Sequence, residues 1–339
     1  MHFPRRLAAT SASVMLGVGV AALINTAMAR NAERRNPPKG TFLEVDGVRL
    51  HYLEKGSGLP VVLLHGNQSM AEDFAISGVI DLLAKKYRVI AFDRPGFGYS
   101  ERPGDTVWTP SAQADLIRKA LLLLGVEKSL MVGHSWGTLV VLAYGLQHPA
   151  QTAAILLLSG YYFPTKRLDV VFASLPDIPI VGDILRYTVW PLLGWLAGPL
   201  LLTTIFAPAH VTARFIREFP FSMALRPSQI RATAGDSALM VPAAGRLSVR
   251  YRELTMPVAI MAGRGDKIVH IEPHPMRLHG LVRQSTLDVI DRGGHMLHHA
   301  HPAKIVAKVE SLWAEMRPAA DPEAAMPYAV NAQTSSTSA

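Results

Sequence analysis

Gly133-His134-Ser135-Trp136-Gly137 is the stretch on which the fold turns. The four-residue run Ser129 to Val132 precedes it and a helical pattern from Trp136 to His148 follows, so the pentapeptide sits at a strand-to-helix turn. In that setting G-x-S-x-G reads as a nucleophile elbow. The glycines permit the tight turn, and Ser135 stands at the start of a helix, where free N–H groups and the dipole favour a developing negative charge. A serine needs a base, and the base needs an orienting acid. Both occur at later strand ends: Asp266 in Gly263-Arg264-Gly265-Asp266, and His295 in Gly293-Gly294-His295-Met296. The plainer alternatives are a turn cap for Asp266 and a loop residue for His295.

Outward from the elbow, apolar runs at Pro60 to Leu64, Tyr87 to Phe92, Ser129 to Val132, Ala153 to Leu158, Pro257 to Ala262 and Thr286 to Ile290 predict buried strands of a mostly parallel sheet. Helical patterns separate them at Ala71 to Lys85, Ser111 to Leu124, Trp136 to His148, Pro273 to Val282 and Pro302 to Glu315. A hairpin turned at Asp46-Gly47 opens the body. This alternation predicts an α/β domain with its ligand at the carboxyl ends of the strands. Residues 161–250 break the rhythm with helical patterns alone and read as an inserted cap, leaving 41–160 and 251–316 as the core. Within the cap, Tyr187 to Ala213 holds no Asp, Glu, Lys or Arg. A transmembrane helix is rejected there because Pro191, Pro199 and Pro208 are expected to interrupt it, and the flanking strands must join one sheet. An apolar lid, a surface touching lipid, or simple cap core remain.

Over residues 41–316 the chain resembles the α/β-hydrolase fold family, with its Ser, Asp, His order. The resemblance includes His65-Gly66-Asn67 after one strand and Asp93-Arg94-Pro95-Gly96-Phe97-Gly98-Tyr99-Ser100 after the next. It implies a Ser135, His295 and Asp266 triad and an oxyanion hole from the backbone N–H groups of Asn67 and Trp136. His65, His134 and the Asp93 to Ser100 turn are then structural. Haloalkane dehalogenases are similar at Asn67 and Trp136, but their nucleophile is Asp. A serine attacking an alkyl halide or epoxide would leave a stable ether, so Ser135 points instead to an activated carbonyl. Prolyl aminopeptidases share Ser-Trp-Gly, but His65-Gly66-Asn67-Gln68 departs from their Gly-Pro-Gly. The acids that would bind an amine, Asp177, Asp183 and Glu218, read as solvated surface. The expectation is an ester or related acyl substrate of lipophilic character. A carbon–carbon bond hydrolase or an acyltransferase would use the same residues, and a noncatalytic binding protein is the alternative of another class.

Composition bounds the rest. The 339 residues carry 34 Lys+Arg against 26 Asp+Glu. Of the resulting +8, residues 1–40 account for +5, with six basic residues and one acid. The body therefore lacks the basic stripe of a nucleic-acid partner. No cysteine means no disulfide, thiolate metal site or cysteine nucleophile. No cofactor or metal is expected: no glycine-rich phosphate loop occurs, and His298, His299 and His301 lack a known ligand spacing or a nearby acid and suit a helix start. Residues 1–40 read as a signal anchor and linker. Arg5 and Arg6 precede the 23-residue uncharged run Leu7 to Ala29, and residues 31–40 form a polar linker held away from helix by Pro37-Pro38. The expected localisation is membrane-anchored, or exported if cleavage follows Ala27-Met28-Ala29. The tail, residues 317–339, reads as disordered.

Overall fold

The computed structural model describes residues 3–316, with side chains at residue 13 and from residue 15 onward. The strands are β1 (Thr41–Val45), β2 (Val48–Lys55), β3 (Pro60–Leu64), β4 (Arg88–Phe92), β5 (Ser129–His134), β6 (Thr152–Leu158), β7 (Val258–Gly263) and β8 (Ser285–Ile290). They form one sheet in the order β1-β2-β4-β3-β5-β6-β7-β8, parallel from β4 to β8, with β1 and β2 antiparallel at one edge. The β1–β2 hairpin turns at Asp46 and Gly47, both at positive φ, as the Asp-Gly pair predicts.

Continuous apolar runs become central strands because alternate side chains feed two cores. On β5 and β6, Leu130, Val132, Leu156 and Leu158 enter one core, and Met131, Ile155 and Leu157 the other. Each such side chain, wholly removed from water, contributes roughly 2 kcal/mol. One core is closed by α2 (Glu72–Ile76), α3 (Val79–Leu83) and α14 (Pro302–Glu315), through Phe74, Leu83, Ile305 and Leu312. The other is closed by α4 (Pro110–Leu123) and α5 (Gly137–Gln147), through Ile117, Leu121, Val140 and Tyr144.

Between β6 and β7 stands the cap: α6 (Leu168–Ala173), α7 (Val181–Tyr187), α8 (Val189–Phe206), α9 (Ala213–Glu218), α10 (Phe221–Ala224) and α11 (Pro227–Ser248). After β7 come a π turn at Glu272–Met276, α12 (Arg277–Leu281) and α13 (Leu297–Ala300).

Several expectations are corrected. The helix predicted over Ala71 to Lys85 is two short helices, because Gly78 adopts φ +84 and breaks it. Residues 31–40 are not wholly a linker: α1 (Phe3–Arg35) continues as helix to Arg35 and stops only before Pro37-Pro38. Asn25 Nδ2 donates to the carbonyls of Tyr187 and Thr188 at 2.9 and 3.1 Å, and Glu33 pairs with Arg226 at 2.8 Å, so the C-terminal part of α1 is docked on the cap. Pro191 and Pro199 do not interrupt α8, which ends at Phe206, before Pro208. Pro191 lies in its first turn, where the missing N–H has no intrahelical partner, and Pro199 is carried inside a continuous 18-residue helix. Among the residues described with their side chains, α8 is the one helix long and apolar enough to cross a membrane, with mean hydropathy 1.6 and only 17% of it buried. Simple cap core is therefore not its state. Residues 317–339 lie outside the described residues.

Candidate active site

The strand-to-helix turn after β5 is enforced by packing. A side chain at Gly133 would stand 2.8 Å from the carbonyl of Gly137, and one at Gly137 would overlap the carbonyl of Leu64 and stand 2.6 Å from that of His65. Between them Ser135 takes φ +52, a conformation an L residue adopts at a cost of about 1–2 kcal/mol, and its N–H donates to Leu158 at 2.9 Å. The strain lifts Oγ off the sheet towards the loops after β7 and β8.

Those loops bring the other two expected residues to it. His295 Nε2 lies 2.9 Å from Ser135 Oγ, and His295 Nδ1 lies 2.9 Å from Asp266 Oδ2. The remaining Asp266 oxygen accepts from the backbone N–H groups of Ile268 and Val269 at 2.8 and 2.9 Å. Burial opposes ionisation of Asp266, but the His295 imidazole and these two amides outweigh it and hold the carboxyl below its usual range. An ionised, doubly anchored carboxylate fixes the Nδ1–H tautomer of His295, leaving Nε2 as the acceptor of the serine proton. The loop that carries His295 needs its glycines: a side chain at Gly294 would overlap the carbonyl of Ala207 and stand 3.0 Å from that of Phe206 at the end of α8.

Asn67 and Trp136 flank Ser135, and their backbone N–H groups donate to no other group among the described residues. Their side chains are already committed. Asn67 Nδ2 donates to Thr233 O and Ser237 Oγ at 3.1 Å each, and Trp136 Nε1 donates to Asp236 O at 2.8 Å. All three acceptors lie on α11, so the side-chain donors that would hold a halide instead fasten the cap to the core.

Sequence reasoning missed that fastening. Asp236 accepts from Arg94 at 2.5 Å and from Arg102 at 3.0 Å, and both Arg94 and Asp236 are inaccessible to solvent. Arg94 also donates to the carbonyls of His65 and Gly66 at 2.9 and 3.0 Å, and its guanidinium lies 4.5 Å from the Trp136 ring centroid. The Asp93 to Ser100 turn is thus the beam under the Gly66-Asn67 loop. The available signal was Asp236 itself, a lone acid in Ala232-Thr233-Ala234-Gly235-Asp236-Ser237-Ala238.

His65 and His134 are structural, as expected. Burial, then Arg94, pushes the His65 imidazole down to about 3, and its Nε2 accepts from the N–H of Arg94 at 3.0 Å. Burial, then the neighbouring His298 and His295, holds His134 well below its usual range, and its Nε2 donates to the His295 carbonyl at 3.0 Å. The expectation that no acid lies near the following histidines is corrected. Asp73 of α2 accepts from His298 Nε2 at 2.9 Å, His299 Nε2 at 2.6 Å and Ser69 Oγ at 3.0 Å. The ligand atoms of Asp73, His298 and His299 lie within 4.8 Å of one another, a grouping that could hold a metal ion. The hydrogen bonds alone account for their burial, and they brace α13 directly behind His295. His301 is not part of the group.

A family model described as the α/β hydrolase fold matches residues 60–181. A 2-hydroxymuconate semialdehyde hydrolase of Pseudomonas sp. (strain CF600) is 26% identical over 299 residues, covering 86% of this chain and 99% of that one. Among solved structures, the epoxide hydrolase CorEH is similar with TM-score 0.68 at 20% identity, covering 82% of this chain and 99% of that one. A thermophilic esterase from Thermogutta terrifontis is similar with TM-score 0.64 at 20% identity, covering 82% and 100%. The two structures share the fold and are named for different chemistries. Sheet order, the elbow at Ser135, the Ser, Asp, His sequence order and the matching family model agree: this chain is an enzyme with the α/β-hydrolase fold.

Proposed function

We propose that the protein is a serine hydrolase of esters or related acyl compounds, lipophilic in character, working through an acyl-enzyme. The observation that carries this reading is the hydrogen-bonded chain Ser135, His295, Asp266 with Ser135 held at positive φ. His295 Nε2 takes the Ser135 proton as Oγ attacks the substrate carbonyl carbon, and the carbonyl electron pair moves to oxygen. The N–H groups of Asn67 and Trp136 receive that oxyanion. When the tetrahedral centre collapses, the bond to the leaving alcohol breaks and His295 hands its proton to that oxygen. Water, deprotonated by His295, then releases the acid and restores Ser135. The side-chain bonds from Asn67 and Trp136 to α11 preorganise both amides at no cost during reaction.

Carbon–carbon bond hydrolysis is the second reading, favoured by the 26% identical relative. Its anionic substrate needs free cations in the cap. Arg186 and Arg214 bracket the uncharged stretch, but Arg186 pairs with Asp183, and Arg214 with Glu218 at 3.0 Å, which favours the acyl ester. A noncatalytic binding role leaves the strained serine unexplained. At the N-terminus, the uncharged run within α1 supports an anchor that holds the enzyme at a membrane. Up to the docked Asn25 it offers 18 residues, Leu7 to Ile24, about 27 Å of helix at 1.5 Å per residue.

The test is hydrolysis of aryl esters of increasing acyl length by the full chain, beside Ser135→Ala and a ring-cleavage dienoate. Turnover that rises with chain length and vanishes in the variant is expected. Dienoate cleavage with no ester turnover would favour the second reading, and Ser135-independent turnover would end both.

A further inference from the structure

We infer that the cap face formed by α6, α7 and α8 rests on a lipid bilayer, with its apolar side chains in the boundary between headgroups and acyl chains. The helix α8 presents Leu192, Leu196 and Leu200, spaced by four, as one exposed stripe, with Leu196 71% and Leu200 73% accessible. The face extends across α6 and α7: Phe172 packs on Trp190 at 5.1 Å between centroids, Leu168 is 86% accessible, and Ile180 and Ile184 are exposed. So many large apolar side chains left exposed on three neighbouring helices are unusual for a free monomer.

Its position says what covers it. Asn25 of α1 is bonded to the carbonyls of Tyr187 and Thr188, where α7 meets α8. On the proposed reading of Leu7 to Ile24 as the membrane segment, the bilayer boundary falls at Asn25 and therefore at the start of α8. The exposed Leu16 and Leu23 of α1 continue the apolar surface. At its other end α8 reaches the His295 loop, where Phe206 joins Met296 in one apolar cluster. The helix thus runs from the bilayer to the loop that carries His295. A span by α8 is excluded because β6 and β7, on either side of the cap, pair within one sheet. The helix lies in the boundary, where such faces sink about 5–10 Å.

The chain has no cysteine of its own, so single probes are available. Leu16→Cys, Leu196→Cys, Leu200→Cys and, at the opposite end of the central strand β5 from Ser135, Lys128→Cys are each labelled with an environment-sensitive fluorophore in the full chain. Each is reconstituted with phosphatidylcholine and phosphatidylglycerol vesicles, with and without nitroxide on the acyl chains. Quenching of about twofold or more at 196 and 200, none at 128, and the same pattern on a Ser135→Ala background is expected. Quenching at 16 without quenching at 196 and 200 overturns the docked cap while the anchor stands. Quenching at 196 and 200 but not 16 supports the docked cap and removes the anchor. A shift at 196 that needs no lipid and grows with protein concentration overturns the inference in favour of a second copy.

Discussion

At Ser135 a local conformation and a chemical role meet. The positive φ is tolerated because Gly133 and Gly137 let helix α5 press against the ends of β3 and β5. Gly137→Ala is expected to lower stability by about 2 kcal/mol or more, since the new carbon overlaps a backbone carbonyl that cannot move aside; thermal denaturation reads it directly. Asp266→Asn removes the carboxylate that fixes the His295 tautomer while leaving the fold intact. The expected result is a fall in kcat on the order of 10⁴ with an unchanged melting temperature, and a retained kcat would remove Asp266 from the chemistry. These three residues were legible in the sequence because each sits beside glycine at the end of an apolar run. Asp73 was not. Its partners His298 and His299 lie 225 and 226 positions away, and nothing local in α2 marks it as buried.

At the level of elements, α11 is the strut between cap and core. It accepts from Asn67, Trp136, Arg94 and Arg102, so the cap does more than cover the site: it holds the loop that carries the Asn67 amide. Asp236→Ala leaves the wholly buried Arg94 without its counter-charge. A loss of about 3–5 kcal/mol is expected, read as a lower denaturation midpoint, together with reduced turnover as the Gly66-Asn67 loop loosens. A neutral outcome would mean that Gln113 and the two carbonyls suffice for Arg94. The sheet could be read in advance because buried parallel strands are continuous apolar runs. The cap could be bounded but not drawn, because proline rules applied residue by residue miss that the first turn of α8 needs no N–H and that one missing bond is tolerated inside a long helix.

For the whole molecule, several imidazoles are buried in neutral form. Burial, then nearby cations, pushes His65 down to about 3 and His274 to about 4, from an ordinary 6.5. In the unfolded chain both protonate near 6.5. As pH falls below that value the unfolded state binds protons that the folded state refuses, so stability is complete above about 6.5 and drains away towards 3. Buried Asp73 and Asp93, held ionised by their histidine partners against the cost of burial, add their loss only below about 3.8. Melting temperature should therefore decline steadily from pH 7 to pH 5, and a flat profile over that interval would contradict the neutral assignment. On the proposed reading, a docked N-terminal helix, an apolar cap face and the Ser135 nucleophile belong to one enzyme. The most direct test is intact-protein mass after treatment with an alkyl fluorophosphonate, which acylation-competent serines attack. The account predicts one added phosphonyl group per chain, located on the peptide carrying Ser135 and absent from Ser135→Ala. No adduct, or one that persists in that variant, would contradict it.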